Sequence, residues 1–381
     1  MARAAEVVVI GGGPAGAAAA TRLARAGRSV LVLERATRPG HKVCGEFLSA
    51  EGLEALRALE LEPEALGAVP IDRVGLNAGA RRAEAPLPFP AAGLSRQKLD
   101  AALLERAEAA GAEVRRGAPV QAWEAEGSGV AVTLGDGTRL RADTALLATG
   151  KHDLRGAPRR ETPWPGWAEM VGLKMHFRLA PEARDRLRGW IELHFFPGGC
   201  AGLQLVEEET ANLCVTLNRA AYARAADFAG LLGSIAAGNP ALTRALEGAE
   251  ALWPKPLAIA RVPYGHLHRP GTEDAGDPCW RLGDQAAVTP SFTGDGLSIA
   301  LRSGLLAAER LLAGSTRRDF GERLRALAAR QMRPAMRLQG LVDRPWLHGP
   351  AVALCRRAPW LLVRGARRTR LPLSGELQAA G

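Results

Sequence analysis

Val7-Val8-Val9-Ile10-Gly11-Gly12-Gly13-Pro14-Ala15-Gly16 runs straight into Ala17 to Ala20. Four β-branched residues in a row predict a buried strand, and the alanines predict a helix ending at Gly27, where a left-handed cap is expected. Between them Gly11, Gly13 and Gly16 form a Gly-x-Gly-x-x-Gly pattern. Gly11 lets the chain turn sharply out of the strand. Gly13, followed by Pro14 and Ala15, lets the backbone come close to a pyrophosphate. Gly16 lets the helix pack close to the sheet. The free N–H groups of the first helical turn and the helix dipole then suit a diphosphate.

A second strand, Ser29 to Leu33, ends in Glu34 and Arg35. An acid about twenty residues past the glycines is placed to bind a ribose hydroxyl. The motif alone leaves FAD and NAD(P) both open.

Outward from this unit, 381 residues with 47% apolar content suffice for two domains. No apolar run is long enough to span a bilayer, and no secretory signal is expected ahead of the first strand. The cysteines, Cys44, Cys200, Cys214, Cys279 and Cys355, are scattered and show no metal-type spacing, as expected of free thiols in a reducing cytoplasm. His266 and His268 lack further ligands, so no metal is expected. The net charge of +10 is concentrated as arginine in the last third, with only 5% aromatics and no nucleic-acid motif. Nucleic acid is therefore not an expected partner. The segment Arg356 to Arg364 mixes Arg with Trp360, Leu361 and Leu362, which suits either a lipid interface or a helix packed on the nucleotide domain.

The loop Arg38 to Leu48 carries Cys44 to the carboxyl end of the second strand, beside the expected dinucleotide, and a helix starts after Ser49. Gly75 to Gly93, with Pro86, Pro88 and Pro90, reads as irregular with an edge strand at its start. A helix follows over Leu94 to Leu104 and includes Arg96. Val120 to Ala125, Val130 to Leu134 and, past the Gly135-Asp136-Gly137 turn, Arg139 to Arg141 read as a small meander, and Thr144 to Gly150 as a buried strand ending in glycine. Strands are expected over Val171–Phe177, Trp190–Pro197, Cys200–Val206 and Ala211–Leu217, with helix over most of Arg219–Leu252. In the second of these, alternation sets Ile191, Leu193 and Phe195 on one face and Glu192, His194 and Phe196 on the other. If the polar face lines a cavity, Glu192 and His194 exchange protons with a substrate. Lys174 and His176 share a face and are expected in the same cavity, whereas Trp164 and Trp167 read as packing residues. Trp280 to Leu301 reads as a strand, Gly283-Asp284, a loop through Pro290, and a helix start at Gly294, Gly296 and Leu297.

In this order the motifs resemble the FAD-dependent oxidoreductases of the p-hydroxybenzoate hydroxylase superfamily. Lys42-x-Cys44-Gly45-Glu46 and Phe196-Pro197 resemble its geranylgeranyl reductase branch. The resemblance implies an α/β fold. A Rossmann-like FAD-binding domain of glutathione-reductase type would occupy residues 1–75, 94–165 and 262–330. An antiparallel β-sheet substrate domain would occupy 76–93 and 166–261, and C-terminal helices 331–381. It further implies FAD held by Gly11, Gly13, Gly16, Glu34, Arg96, Val120 and Asp284, with Pro290, Gly294 and Gly296 beside the isoalloxazine and Cys44 near flavin and substrate. NAD(P)H would bind transiently as reductant. Three departures stand out. Glu192 and His194 replace aromatics of the reductase motif, Thr149 to Asp153 replace the hydroxylases' Asp-Gly, and the halogenase Trp-x-Trp-x-Ile-Pro is absent.

Three functions follow as expectations. The favoured one is reduction of carbon–carbon double bonds in a lipophilic substrate, with Cys44 placing or protonating it. The second is hydroxylation of an aromatic or polyketide-like substrate by an NAD(P)H-dependent monooxygenase, with His194 or Glu192 as base. The third is a flavin-binding, membrane-peripheral protein without turnover. The oligomeric state is left open.

Overall fold

Two β-sheets lying side by side organise the chain, in a computed structural model that describes residues 3–154, 158–159, 170–270 and 279–372. Trp164 and Trp167 lie outside the described residues. The first half supplies β1 (Arg3–Ile10), α1 (Pro14–Arg25), β2 (Val30–Glu34), β3 (Phe47–Leu48), α2 (Ala50–Ala58), β4 (Val69–Ala78), β5 (Arg81–Gly93), α3 (Arg96–Ala109), β6 (Glu113–Arg116), β7 (Val120–Glu126), β8 (Gly129–Leu134) and β9 (Arg139–Leu147). The middle supplies β10 (Met170–Arg178), α4 (Pro181–Leu187), β11 (Gly189–Phe196), β12 (Gly199–Leu205), β13 (Ala211–Asn218), α5 (Arg219–Ala223), α6 (Phe228–Ala237), α7 (Pro240–Leu246), β14 (Glu250–Ala251) and β15 (Leu257–Ala260). The last part supplies β16 (Cys279–Arg281), α8 (Gly296–Leu312), α9 (Arg317–Val342), α10 (Pro345–Arg357) and α11 (Trp360–Arg368).

The first sheet runs β6-β2-β1-β9-β8-β7, parallel from β6 to β9 and antiparallel through the β7–β8–β9 meander. β9 is a forked strand. Its first half pairs with β8 and its last residues pair in parallel with β16. The meander thus continues without a break into the strand that carries Leu146 and Leu147 into the core. Val7, Val9, Val30 and Val32 are fully buried under α1, α3 and α8. Val8, Ile10, Leu31 and Leu33 are buried on the opposite face under the meander. The unbroken apolar runs of β1 and β2 reflect this cover on both faces.

α1 ends as expected. Gly27 takes a left-handed φ of 78°, and the Arg28 N–H reaches back to the Leu23 carbonyl at 3.1 Å, the Schellman closure. Gly16 and Gly304 allow close packing. A Cβ at Gly16 would lie 2.0 Å from the Gly11 carbonyl oxygen, and one at Gly304 2.2 Å from that of Ala15. The start of α1 and the middle of α8 therefore meet at backbone contact.

The second sheet runs β14-β10-β13-β12-β11-β4-β5-β3, with β15 also on β10. All its pairs are antiparallel except β11 with β4. Here the structure corrects the reading of Gly75–Gly93. β4 is an interior strand, and the prolines lie within a thirteen-residue β5 paired to it, with a register shift near Ile71–Arg73 that absorbs Pro86 to Pro90. Two expected boundaries also fall inside elements, residue 75 in β4 and residue 330 in the continuous α9. α10 and α11 pack on β4 and β5 of the second sheet, not on the nucleotide domain.

Candidate active site

The carboxyl ends of β1, β2 and β9 open on a groove of about 500 Å³. Gly11, Gly13, Pro14, Ala15, Glu34, Arg35, Cys44, Arg96, Val120, Gly150, Asp284, Gly294, Gly296 and Leu297 all line it. Gly16 and Pro290 do not. Gly16 serves the packing described above, and the Pro290 carbonyl is taken up by the Thr293 hydroxyl at 2.8 Å.

The local chemistry explains the groove. Gly11 has a φ of 108° and a Cβ there would strike the Ala148 carbonyl at 2.5 Å, so only glycine turns the chain here. α1 begins at Pro14 without a side-chain cap, and α8 begins at Gly296 without one. The first-turn N–H groups of both helices remain for a ligand. Glu34 accepts the Gly12 N–H at 2.8 Å and the Ala36 N–H at 2.9 Å, which fixes its carboxylate at the rim. Arg96 forms a bidentate pair with Asp100, at 2.8 and 2.7 Å, that holds the guanidinium planar against the groove. Lys151 stands 3.7 Å from Asp284 across it. Uncapped helix starts, an aimed guanidinium and glycines opposite them fit a dinucleotide diphosphate.

A second cavity of about 240 Å³ adjoins the first. Val74, Leu76, Leu87, Phe89, Ile191, Leu193 and Phe195 form its floor, from β4, β5 and β11. Leu338, Leu347, Val352, Leu361 and Leu362, from α9 to α11, form its roof. Gly45, Phe47, Cys214, Ser291 and Gly294 line both cavities, so the two meet there.

This arrangement reverses the expectation for β11. Its apolar face lines the cavity, while Glu192 and His194 point away and line neither space. Glu192 pairs with Arg82 at 2.6 Å and approaches His194 Nε2 at 3.4 Å; His194 Nδ1 lies 3.2 Å from Asn239 Oδ1. Burial pushes the Glu192 carboxyl up, but His194 and then Arg82 outweigh it and hold it below the usual carboxylate range. These residues are a buried polar network and not a substrate base. The alternation was correct, and the side occupied by the substrate space depends on α9–α11, which the strand pattern does not encode.

Lys174 and His176 are likewise withdrawn from the cavity. Both bind Glu46, Lys174 as a fully buried ion pair and His176 at 2.8 Å. Glu46 also accepts the Arg96 N–H at 2.6 Å, while its own carbonyl takes the Gln204 amide and the Leu94 N–H. Asn212 donates to the Cys44 and Gly45 carbonyls. Burial pushes the Glu46 carboxyl up, yet the His176 hydrogen bond and the charge of Lys174 prevail and hold it down. Glu46 adopts a left-handed φ of 57°, a cost borne by these contacts. His41 meets the His176 ring edge-on and the Trp253 ring at a tilt, and burial first, then the Lys174 and His176 charges, lowers its pKa to about 4. His41, Glu46 and His176 come within metal-binding reach of one another, and Glu46 already has the Lys174 ammonium as its counter-charge.

Sequence reasoning missed the hydroxyl line at the junction. Thr216 Oγ1 lies 2.6 Å from Ser291 Oγ and 3.4 Å from the Tyr264 hydroxyl. A Tyr-Pro neighbourhood carries no such signal; only the fold brings residues 216, 264 and 291 together. Ser49 also differs from its expected role. It stands at the start of α2, but its hydroxyl bonds Glu51 at 2.6 Å and Ser298 at 2.7 Å in place of capping. It belongs to a buried knot around Asp295, which Gln331 and Arg370 also reach at 2.6 and 2.5 Å. Burial raises the Asp295 pKa to about 7.

Residues 4–148 match the model of an FAD binding domain family. The menaquinone reductase of Mycobacterium tuberculosis is 30% identical over 323 residues, covering 81% of this chain and 76% of that protein. The chain belongs to the FAD-dependent oxidoreductases of the geranylgeranyl reductase branch. Digeranylgeranylglycerophospholipid reductase 2 of Methanopyrus kandleri is also 30% identical, over 310 residues, covering 80% and 76% of the two chains. Among solved structures, the flavin-dependent brominase Bmp2 superposes with a TM-score of 0.76, covering 96% of this chain and 94% of that one. At 19% identity this likeness concerns the fold. The FAD-dependent oxidoreductase is thus an enzyme, and the residues matched to the FAD binding domain include the groove-lining Gly11 to Ala15, Glu34 and Arg96. Among its described residues no helix is long and apolar enough to cross a membrane.

Proposed function

We propose that this oxidoreductase reduces a carbon–carbon double bond in a lipophilic, isoprenoid-like substrate. The observation that carries this reading is the adjoining cavity. It is walled by aliphatic and aromatic side chains, and the acid and histidine that would activate a phenol face the other way. The names of the two relatives, both reductases, support the same direction.

FAD, when bound, supplies the hydride of such a reduction, with NAD(P)H proposed as its transient source. The chain's own residues do the rest. Gly11 to Ala15, Glu34 and Arg96 hold the nucleotide end. The apolar floor of β4, β5 and β11 orients an alkyl chain and excludes water from the reacting bond. Two groups, one in the groove next to the junction and one at the junction itself, are able to hold or pass a proton. One is the Cys44 thiol, held by the Glu46 N–H at 3.4 Å; the other is the Ser291 end of the hydroxyl line.

The test is product analysis. FAD-loaded protein, reduced and kept free of oxygen, is given an isoprenoid-tailed quinone or lipid. A product richer by two hydrogens is expected. Oxygen uptake coupled to pyridine nucleotide oxidation, yielding a hydroxylated product and no anaerobic product, would overturn the reading in favour of the monooxygenase.

A further inference from the structure

We infer that the outer face of α10 and α11 is a docking surface for an anionic lipid bilayer. The inner and outer faces of these helices differ in a regular way. On α11, Leu361, Leu362, Gly365 and Ala366 line the apolar cavity, while Trp360, Arg364 and Arg367 follow one another along the exposed side. On α10, Leu347, Ala351 and Val352 face the cavity, and Trp346, Pro350, Leu354 and Arg357 face out.

Among the described residues, the three most exposed large apolar side chains of the molecule are Trp346 at 72%, Trp360 at 62% and Leu354 at 56%. All three are on this one layer, and Leu341, exposed at the end of α9, also lines the cavity. The cavity mouth and the exposed apolar cluster are therefore continuous.

Charge points the same way. From Gln331 to Arg370 the chain has nine arginines and a single acid, Asp343, so eight of its ten net positive charges fall in this stretch. Elsewhere some exposed arginines are paired, Arg57 with Glu64 and Arg139 with Glu124, while others, among them Arg22, Arg38 and Arg244, have no carboxylate within ion-pair reach among the described residues. Among the described residues, Arg356, Arg357, Arg364, Arg367 and Arg368 have no carboxylate within ion-pair reach, although Arg370 is tied to Asp295. What sets this stretch apart is clustering: five such arginines fall within residues 356–368, beside the exposed Leu354 and Trp360. Unpaired guanidinium groups interleaved with Trp and Leu fit an interface whose outer layer is anionic and whose inner layer is apolar.

A second copy of this chain is a poorer fit, because a two-fold contact would set like charges against each other. Nucleic acid would satisfy the arginines but not the aliphatic and indole surface. Docked in this way, the roof of the cavity faces the phase in which a lipid-tailed substrate dissolves. The inference rests on the proposed substrate class only in that last respect, and its test does not use turnover.

The test is sedimentation of the full-length, FAD-loaded protein with vesicles of phosphatidylcholine alone and with vesicles containing phosphatidylglycerol. Binding to the anionic vesicles is expected, weakened by salt, and lower by at least about tenfold in two variants. One replaces Trp346, Leu354 and Trp360 by Ser. The other replaces Arg356, Arg357, Arg364, Arg367 and Arg368 by Gln. All eight side chains are exposed, and retained flavin absorbance and melting temperature show that each variant is folded. Failure of the parent protein to bind anionic vesicles would overturn the inference. So would parent-like binding by both variants, tighter binding to a DNA or RNA duplex than to vesicles, or a dimer in solution that the Ser variant dissociates. A protein that docks as expected but reduces no isoprenoid would sink the proposed substrate and leave the docking surface intact.

Discussion

Glu46 shows how far one side chain organises the site. Its carboxylate joins Lys174, His176 and the Arg96 N–H, so the Cys44 loop, β10 and the start of α3 share one anchor. Replacing Glu46 by Gln leaves a buried ammonium without its counter-charge. The expected loss is about 3–5 kcal/mol in denaturant unfolding, with much of it recovered when Lys174 is replaced by Met in the same chain. Equal stability of the single and double variants would contradict the anchor. His41, in the same cluster, stays neutral in the folded protein down to about pH 4, against an ordinary value of 6.5. Between these limits the unfolded chain binds the proton and the folded chain does not. The stability from keeping His41 neutral is complete above about pH 6.5 and is lost as pH falls toward 4. A His41→Gln variant is expected to show a shallower fall of melting temperature over that window; an unchanged slope would count against it. At this scale the motif glycines were legible because backbone chemistry dictates them, and Glu34 from its spacing after them, whereas Asp284 entered through the family resemblance. The Glu46 cluster was not legible, because its members are spread from residue 41 to residue 253.

At the scale of elements, packing distances decide the outcome of substitutions. Gly304→Ala should gain up to about 1 kcal/mol of helix propensity. Its Cβ, however, would sit 2.2 Å from the Ala15 carbonyl oxygen, a backbone atom that cannot swing aside. Parting α1 from α8 costs about 1–3 kcal/mol, so the variant is expected to melt lower and to retain less FAD, read by flavin-to-protein absorbance. Higher stability would contradict the close crossing. On β11, Glu192→Gln is expected to lower the unfolding midpoint and leave turnover of the FAD-loaded protein unchanged, since the network lies outside both cavities. A loss of turnover at constant FAD content would return Glu192 to the chemistry. Period-two alternation identified both faces of this strand from sequence. Which face meets the substrate space was decided by helices more than a hundred residues further on.

At the scale of the molecule, the nucleotide half was readable because phosphate binding imposes a local pattern of strand, glycine turn and helix. The second half was readable as strands but not as a container. Its floor comes from β4, β5 and β11 and its roof from α9 to α11, a closure that arises only when the long β4–β5 hairpin carries α10 and α11. The proposed reduction of a lipophilic substrate therefore depends on the junction of groove and apolar cavity. Its most direct test is anaerobic stopped-flow reoxidation of the reduced, FAD-loaded protein by an isoprenoid-tailed substrate, in the parent and in Leu193→Trp, which fills the cavity floor. The expected result is reoxidation by the substrate in the parent and a rate at least about tenfold lower in the variant, at equal FAD content. Equal rates in the two proteins, or no reoxidation in either, would contradict it.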